Sequence, residues 1–99
     1  MSVILFRAVS IAEFFNLLEF GVFKSGPNSV DGKHFAESPQ DAEEWGSWLY
    51  DEDDFRIVAV ELPEAEADKL MRWDRLDAIG PARFAELHEL ENAVITVMK

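Results

Sequence analysis

The 99-residue sequence contains no cysteine, no long apolar run, and only nine Lys and Arg against 20 Asp and Glu. The lack of cysteine excludes disulfides, a zinc–thiolate centre and a thiol nucleophile. The shortage of basic residues argues against direct binding to nucleic acid or anionic membranes, because phosphates are neutralised by clustered Lys and Arg. No segment reaches the roughly 18 apolar residues of a membrane-spanning helix, and the first residues lack the features of a signal peptide. We therefore expect a cytoplasmic protein.

What the sequence does contain is enough apolar mass for a packed core. Hydrophobic residues make up 48% of the chain and aromatic residues 12%, including eight Phe and three Trp. An acidic disordered segment would not carry that much aromatic mass. The length fits one domain, so we expect residues 1–99 to form a single domain with a small core.

The net charge of −11 is concentrated in the middle third of the chain. Residues 41–68 hold eleven acidic side chains and one basic one, Arg56. Two interpretations stay open: a solvated face that keeps the protein dissolved, or a docking surface for a basic protein partner. The residues expected to bind such a partner are Asp51, Glu52, Asp53 and Asp54.

Alternating strand and helix signals predict a small α+β domain. Apolar runs predict strands at residues 3–7, 55–62 and 92–98 and a short extended piece at 34–36. Ile57 to Val60 is apolar on both faces, which indicates a central strand. Capping signals predict one helix at 10–19, with the Ser10–Glu13 capping box, and another at 38–49, with Ser38 as N-cap. We expect both helices to pack on a sheet that contains the three strands.

The same patterns predict which helical residues are buried. The expected core-facing residues are Ile11, Phe14, Phe15, Leu17 and Leu18 in the first helix, and Ala42, Trp45, Trp48 and Leu49 in the second. The other segments are expected to be a loop at 24–33, a turn at 51–54, a short helix from Pro63 to about Met71, an irregular stretch at 74–81 and helical turns at 82–90.

The familiar local motifs of enzymes are missing from the sequence. There is no Gly-rich phosphate loop, no nucleophile elbow and no pair of histidines at metal-binding spacing. His88-Glu89 with Glu91 is the nearest approach to a metal-ligand pattern, and without a second nearby histidine it is weak. We therefore expect no metal centre.

Three separated segments carry a resemblance to a known family. The opening Leu5–Ser10, followed by a helix and Gly21-Val22-Phe23, resembles the start of the ADP-ribosyltransferase fold. Residues 32–39 (GKHFAESP) resemble that family's Gly-x-Tyr-Phe-Ala-Asp-Ser segment, and Glu91 before Ala93 resembles its closing glutamate at the head of a strand. The stretch from Phe6 to Ala36 also looks like small domains at the C-termini of bacterial polymorphic toxins. The resemblance touches about a third of the chain and implies a split sheet flanked by short helices.

The resemblance also implies a chemistry, namely cleavage of NAD at the nicotinamide–ribose bond and modification of a macromolecular target. It places Arg7 and Phe35 at the cofactor, where the guanidinium of Arg7 would hold the ribose or phosphate. It places His34 where the family has a tyrosine that stacks on nicotinamide. Glu91 would stabilise the developing positive charge on the ribose, so Glu91 and His34 are the expected catalytic residues.

Two hypotheses follow from these observations. The first is a small ADP-ribosyltransferase-like enzyme, a toxin or effector module that acts on a protein or nucleic-acid target. The second is a catalytically inactive binding protein whose acidic residues 51–54 occupy the basic nucleic-acid groove of a partner, as phage-encoded inhibitors of bacterial defence such as anti-CRISPR proteins can do. The feature expected to distinguish them is whether Arg7, His34 and Glu91 meet in one cleft.

Overall fold

The described part of the chain is built on one antiparallel sheet of six strands. The computed structural model describes residues 1–21, 23 and 32–98. In chain order the elements are β1 (Ser2–Ser10), α1 (Ile11–Phe20), β2 (Gly32–Ala36), α2 (Pro39–Leu49), β3 (Phe55–Pro63), α3 (Glu64–Ala67), β4 (Met71–Leu76), β5 (Gly80–Glu86), a 3-10 helix (Leu87–Leu90) and β6 (Val94–Val97). The strand order is β4-β5-β2-β1-β3-β6. A compact single domain of the α+β class results, with a Cα radius of gyration of 12.5 Å.

The helices cover both faces of the sheet, because alternate residues of a strand point to opposite sides. On one face, Leu17 of α1 and Ala67 of α3 pack into a large cluster with Leu5 and Val58. On the other face, Ala42 of α2 packs with a smaller cluster, which also contains Ala8, Ala36 and Ile57. None of the described helices combines the length and the apolarity that crossing a membrane requires.

The predicted helix starts and the three predicted strands are confirmed. Ser10 Oγ accepts a hydrogen bond from the Glu13 amide at 3.1 Å, and Ser38 Oγ accepts one from the Asp41 amide at 3.2 Å. The α1 helix ends at Gly21, which has a left-handed φ of 71°. Strands β1, β3 and β6 are neighbours in the sheet, as expected, although β3 is next to an edge strand rather than at the centre.

The prediction for residues 74–90 is wrong. Instead of an irregular stretch and helical turns, this part of the chain forms the β4–β5 hairpin and a single 3-10 turn. The alanines of β5 favour a helix in isolation, but β5 is paired on both sides, with β2 and with β4. Strand β4 is an edge strand with charged, exposed side chains, so it lacks the apolar alternation that would have indicated a strand.

Three smaller predictions also need correction. Trp48 and Leu49 are exposed rather than buried, because only the opposite side of α2 meets the sheet. The helix after Pro63 is one turn long, and Met71 already belongs to β4. Gly32 and Lys33 begin β2 rather than end a loop, and the remainder of the predicted loop, residues 24–31, lies outside the described residues.

The stripe predicted for α1 is only partly buried. Leu17 lies in the core and Phe14 packs against it, whereas Phe15 and Leu18 are exposed. A ten-residue helix at the edge of a small core buries little more than one of its own side chains per turn. The flanking apolar residues therefore stay exposed to solvent.

Candidate functional site

The candidate site lies where strand β1 meets strand β2. These strands share a single register pair, Phe6 with Ala36, whereas β1 is paired with β3 along its whole length. The sheet therefore consists of two three-stranded halves, β4-β5-β2 and β1-β3-β6, joined at a narrow contact that we call the seam. The resemblance implied a split sheet, and in this structure the strands remain one sheet with the seam as its weakest pairing.

Arg7 crosses the seam and bonds to both sides of it. Its Nη1 donates a hydrogen bond to the backbone carbonyl of His34 on β2, at 2.9 Å. Its Nε and Nη2 donate to the two carboxylate oxygens of Glu13 on α1, at 2.8 and 3.0 Å. Lys33 Nζ lies 3.7 Å from the same carboxylate. Glu13, which the capping-box pattern assigned to the helix N-terminus, thus uses its carboxylate to orient Arg7.

A cleft of about 470 Å³ opens at the seam on the side that α2 covers. Its volume lies in the range of pockets that bind small molecules. The residues that line it come from β1, β2, α2 and the β4–β5 hairpin: Arg7, Ala8, His34, Trp45, Leu49, Leu76 and Asp77. Arg7 and His34, two of the residues that the resemblance implicates, therefore meet in one cleft.

His34 presents an exposed imidazole within an aromatic surround. Its ring centroid lies 4.9 Å from that of Phe84 and 5.7 Å from that of Trp73. Partial burial of the ring, followed by repulsion from the positive charge of Arg7, lowers the pKa of His34 below 6.5, and the attraction of Asp77 only partly opposes this. The lowered pKa favours the neutral form of His34, which has a flat aromatic ring available for stacking.

Asp77 supplies the carboxylate of the cleft. It lies in the turn of the β4–β5 hairpin, where Asp77 and Ala78 both have positive φ, 55° and 61°. The Ile79 amide donates to the Leu76 carbonyl across this turn at 3.0 Å. Type I′ hairpin turns need this backbone and usually place Asn or Asp before Gly, so Asp-Ala holds the acidic side chain at a conformational cost.

Trp45 also lines the cleft, and it carries a buried donor without a partner in the described part of the chain. Its indole Nε1–H is enclosed by protein and meets no hydrogen-bond acceptor among the described residues. Leaving a buried N–H unpaired costs about 1–3 kcal/mol, so such groups are uncommon and often mark a place for water or a ligand. The sequence pattern correctly placed Trp45 on the inner side of α2, but gave no sign that it lines a cleft.

Two residues expected at the site lie elsewhere. Phe35 is fully buried on the opposite face of β2 from His34, with its ring edge-to-face against Phe23 at 5.7 Å. Glu91 is exposed and follows the 3-10 helix ahead of β6, on the far edge of the sheet from β4 and outside the lining of the cleft. No motif marks Asp77, because the sequence pattern predicts an irregular stretch at 74–81 and not the hairpin that positions this residue.

A cluster of ion pairs fixes the half-sheet that carries His34 and Asp77. Glu37, which follows β2, accepts hydrogen bonds from Arg72 Nε at 2.7 Å and from Arg83 Nε at 2.8 Å. The hydrogen bond from Arg72 is the main cause that lowers the pKa of Glu37, with Arg83 adding to it. Arg83 Nη1 also donates to the carbonyl of Ala67 at 2.9 Å. The cluster ties β2, β4, β5 and α3 together.

The four acidic residues expected to bind a partner all lie on the surface. Asp51, Glu52, Asp53 and Asp54 are exposed in the turn between α2 and β3. Only Tyr50 separates this turn from Trp48 and Leu49, whose side chains are also exposed. The structure thus places an apolar patch beside the acidic run.

A second group of acidic and histidine side chains lies at the 3-10 helix. Ligand atoms of Glu86, His88 and Glu89 lie within 4.8 Å of one another. Glu86 and Glu89 already cap the helix reciprocally, and His88 Nδ1 is 3.3 Å from the Glu86 carboxylate. The proximity of these groups is accounted for by the capping of the helix.

Comparison of the chain with protein-family models, with curated proteins and with solved structures finds no match. The functional argument therefore rests on the geometry of the cleft and on the resemblance of the three sequence segments.

Proposed function

We propose that the chain is a small ADP-ribosyltransferase-like domain that binds NAD in the seam cleft and cleaves its nicotinamide–ribose bond. Glu91, the third residue that the resemblance places at the site, lies outside the cleft, and the observation that supports the proposal most is the convergence of the other two, Arg7 and His34. The resemblance implicates these two residues from separate segments of the sequence, and both line one cleft of small-molecule size.

The donors in the cleft suit an anionic dinucleotide. Arg7 keeps one hydrogen on Nη1 and one on Nη2 outside its described bonds, and these suit phosphate oxygens. Because Glu13 and the His34 carbonyl already hold the guanidinium, its position is fixed before a ligand arrives, which lowers the entropic cost of binding.

The neutral ring of His34 suits the nicotinamide end of NAD. A cationic pyridinium ring stacks favourably on a neutral aromatic surface, and protonation of His34 would replace that attraction by repulsion. The lowered pKa of His34 favours this neutral form of the ring. Phe84 and Trp73 extend the aromatic surface beside it.

In this proposal Asp77, rather than Glu91, provides the negative charge for the reaction. As the C1′–N bond breaks, its electron pair leaves with nicotinamide and positive charge develops on the ribose. A nucleophile of the target then bonds to C1′ and releases its proton. A carboxylate held rigidly near C1′ stabilises the charged transition state more than the ground state. Asp77 is the acidic residue in the lining of the cleft, on a turn whose backbone is constrained.

Calorimetric titration with NAD and a nicotinamide-release assay test the proposal. Arg7→Lys keeps the positive charge but loses the paired N–H donors of the guanidinium, and we expect it to weaken NAD binding about tenfold. The control Arg56→Lys, on a surface away from the cleft, should leave NAD binding unchanged. Asp77→Asn should lower turnover about a hundredfold with little change in NAD affinity, because its charge acts mainly in the transition state. Glu91→Gln should leave turnover unchanged.

The outcomes are decisive in either direction. No NAD binding by the parent protein, or equal binding by Arg7→Lys, would reject the cleft as an NAD site. Loss of turnover in Glu91→Gln together with full turnover in Asp77→Asn would retain the activity but reject Asp77 as the reacting carboxylate.

A further inference from the structure

The end of helix α2 exposes an apolar pair that the core does not use. Trp48 is 63% exposed and Leu49 68% exposed. With the turn that follows, they line a shallow groove of about 400 Å³, which we call the α2-end groove: Ser47, Trp48, Leu49, Tyr50, Asp51 and Asp54. Exposed tryptophan is costly to keep in water and is enriched at the centres of protein interfaces.

The charge around the groove restricts what can cover it. Asp51 and Asp54 lie in its wall, with Glu52 and Asp53 beside them, and no ion pair from the described residues engages any of these four carboxylates. The nearby base, Arg56, directs its Nη1 to the carbonyl oxygens of Asp53 and Phe55 instead. A partner that covers Trp48 must therefore bring positive charge to these carboxylates.

The groove adjoins the seam cleft at Leu49. Leu49 lines both of them, so a macromolecule bound over Trp48 would reach the mouth of the cleft. A site that transfers a group from a bound small molecule to a macromolecule needs both surfaces side by side, because the acceptor atom must approach the reacting carbon.

We propose that the α2-end groove binds a basic protein segment, with an apolar side chain packed on Trp48 and Arg or Lys residues paired with Asp51 and Asp54, and that this segment belongs to the target of the enzyme. The assignment of the segment as target rests on the proposed NAD chemistry, whereas the binding itself does not. Nucleic acid is excluded as the occupant, because its phosphates would meet four unpaired carboxylates.

A labelled peptide tests the binding directly. The probe is a short fluorescein-labelled peptide of arginines interrupted by single leucines, titrated with the purified protein and followed by fluorescence anisotropy. Trp48→Ala should weaken binding about tenfold or more. Phe15→Ala is the matched control, since it removes an aromatic ring of similar exposure, 60%, from the other face of the sheet and should leave the affinity unchanged. Replacing the leucines of the peptide by serine should weaken binding to the parent and have little further effect on Trp48→Ala.

A second pair of variants separates a local site from general attraction to an acidic protein. Asp51→Asn with Asp54→Asn should weaken peptide binding at least tenfold and reduce its salt dependence. Glu64→Gln with Asp68→Asn removes the same charge from exposed positions near α3 and should change the affinity less than twofold. Equal losses in the two double variants, or no loss in Trp48→Ala, would overturn the proposal.

The NAD titration distinguishes failure of the groove from failure of the cleft. Trp48→Ala is expected to bind NAD as the parent does, because Trp48 does not line the cleft. Specific peptide binding without NAD binding would support the α2-end groove as a binding site and reject the proposed enzymatic activity. It would favour the hypothesis that the protein inhibits a basic partner. NAD binding with unspecific peptide binding would support the proposed enzymatic activity and reject the α2-end groove as the binding site for the target.

Discussion

Strand β1 is bonded very differently along its two edges, and this asymmetry locates the candidate site. With β3 it forms nine register pairs, from Ser2 with Pro63 to Ser10 with Phe55. With β2 it forms one, Phe6 with Ala36. The well-paired edge needs only apolar side chains on both faces, whereas the poorly paired edge leaves backbone carbonyls to be satisfied by other groups.

Arg7 shows how the poorly paired edge is stabilised. Its guanidinium takes the place of missing backbone hydrogen bonds by donating to the His34 carbonyl, and Glu13 fixes it there. A seam held by side chains can widen into a cleft, which a complete ladder of backbone hydrogen bonds cannot do. The comparison predicts that the β1–β3 side carries the stability of the fold and that the seam carries its binding chemistry.

The largest effect is expected on the well-paired side. Val60 is fully buried between the apolar side chains of Leu5 in β1 and Ile95 in β6, so Val60→Asp would bury a charge without a partner and lower the free energy of unfolding by about 3 kcal/mol or more. Val97 lies in the edge strand β6 and is 44% exposed, so Val97→Asp should cost less than about 1 kcal/mol. Urea denaturation measures both, and similar costs for the two variants would refute the assignment of β3 as the structural core.

A smaller loss of stability is expected at the seam. Arg7→Lys removes the pair of hydrogen bonds to Glu13 and the hydrogen bond to the His34 carbonyl. It should lower the free energy of unfolding by about 1–3 kcal/mol. Arg56→Lys loses bonds to nearby carbonyls but keeps a cation that can lie near the Phe14 ring, so it should stay within about 0.5 kcal/mol of the parent. If the two variants unfold at the same urea concentration, Arg7 is not what holds β1 to β2.

The sequence predicts a region well where the interactions join residues close together in the chain, and poorly where they join residues far apart. The caps at Ser10 and Ser38 and the apolar run of β3 are local patterns, and they were predicted correctly. The hairpin that brings Asp77 to the cleft is stabilised instead by pairing with β2 and by the ion pairs of Glu37 with Arg72 and Arg83. These contacts join residues 35 and 46 positions apart, so no window of the sequence contains them.

The turn of that hairpin offers a gain in stability. Ala78 has a φ of 61°, where an L-residue costs roughly 1–2 kcal/mol more than glycine, so Ala78→Gly should raise the free energy of unfolding by about 1 kcal/mol. Ala65→Gly, at an exposed position of helix α3, should lower it by about 0.5–1 kcal/mol. A thermal melt that shows the same sign for both substitutions would contradict the strained turn.

The smallest predicted effect is a change in the titration of His34. Its pKa should lie below 6.5, because burial disfavours the charged ring and Arg7 repels it. Since the folded protein then takes up this proton at lower pH than the unfolded chain, the contribution of His34 to stability is constant above about pH 6.5 and is lost as the pH falls through the pKa of the folded state. NMR titration, with the signal assigned through His34→Gln, measures the pKa. Arg7→Gln should raise it, but only in part, since burial is the larger cause and remains. An unchanged pKa of His34 in Arg7→Gln would show that the guanidinium charge does not affect the imidazole. It would contradict the proposal that Arg7 and His34 act together in the seam cleft.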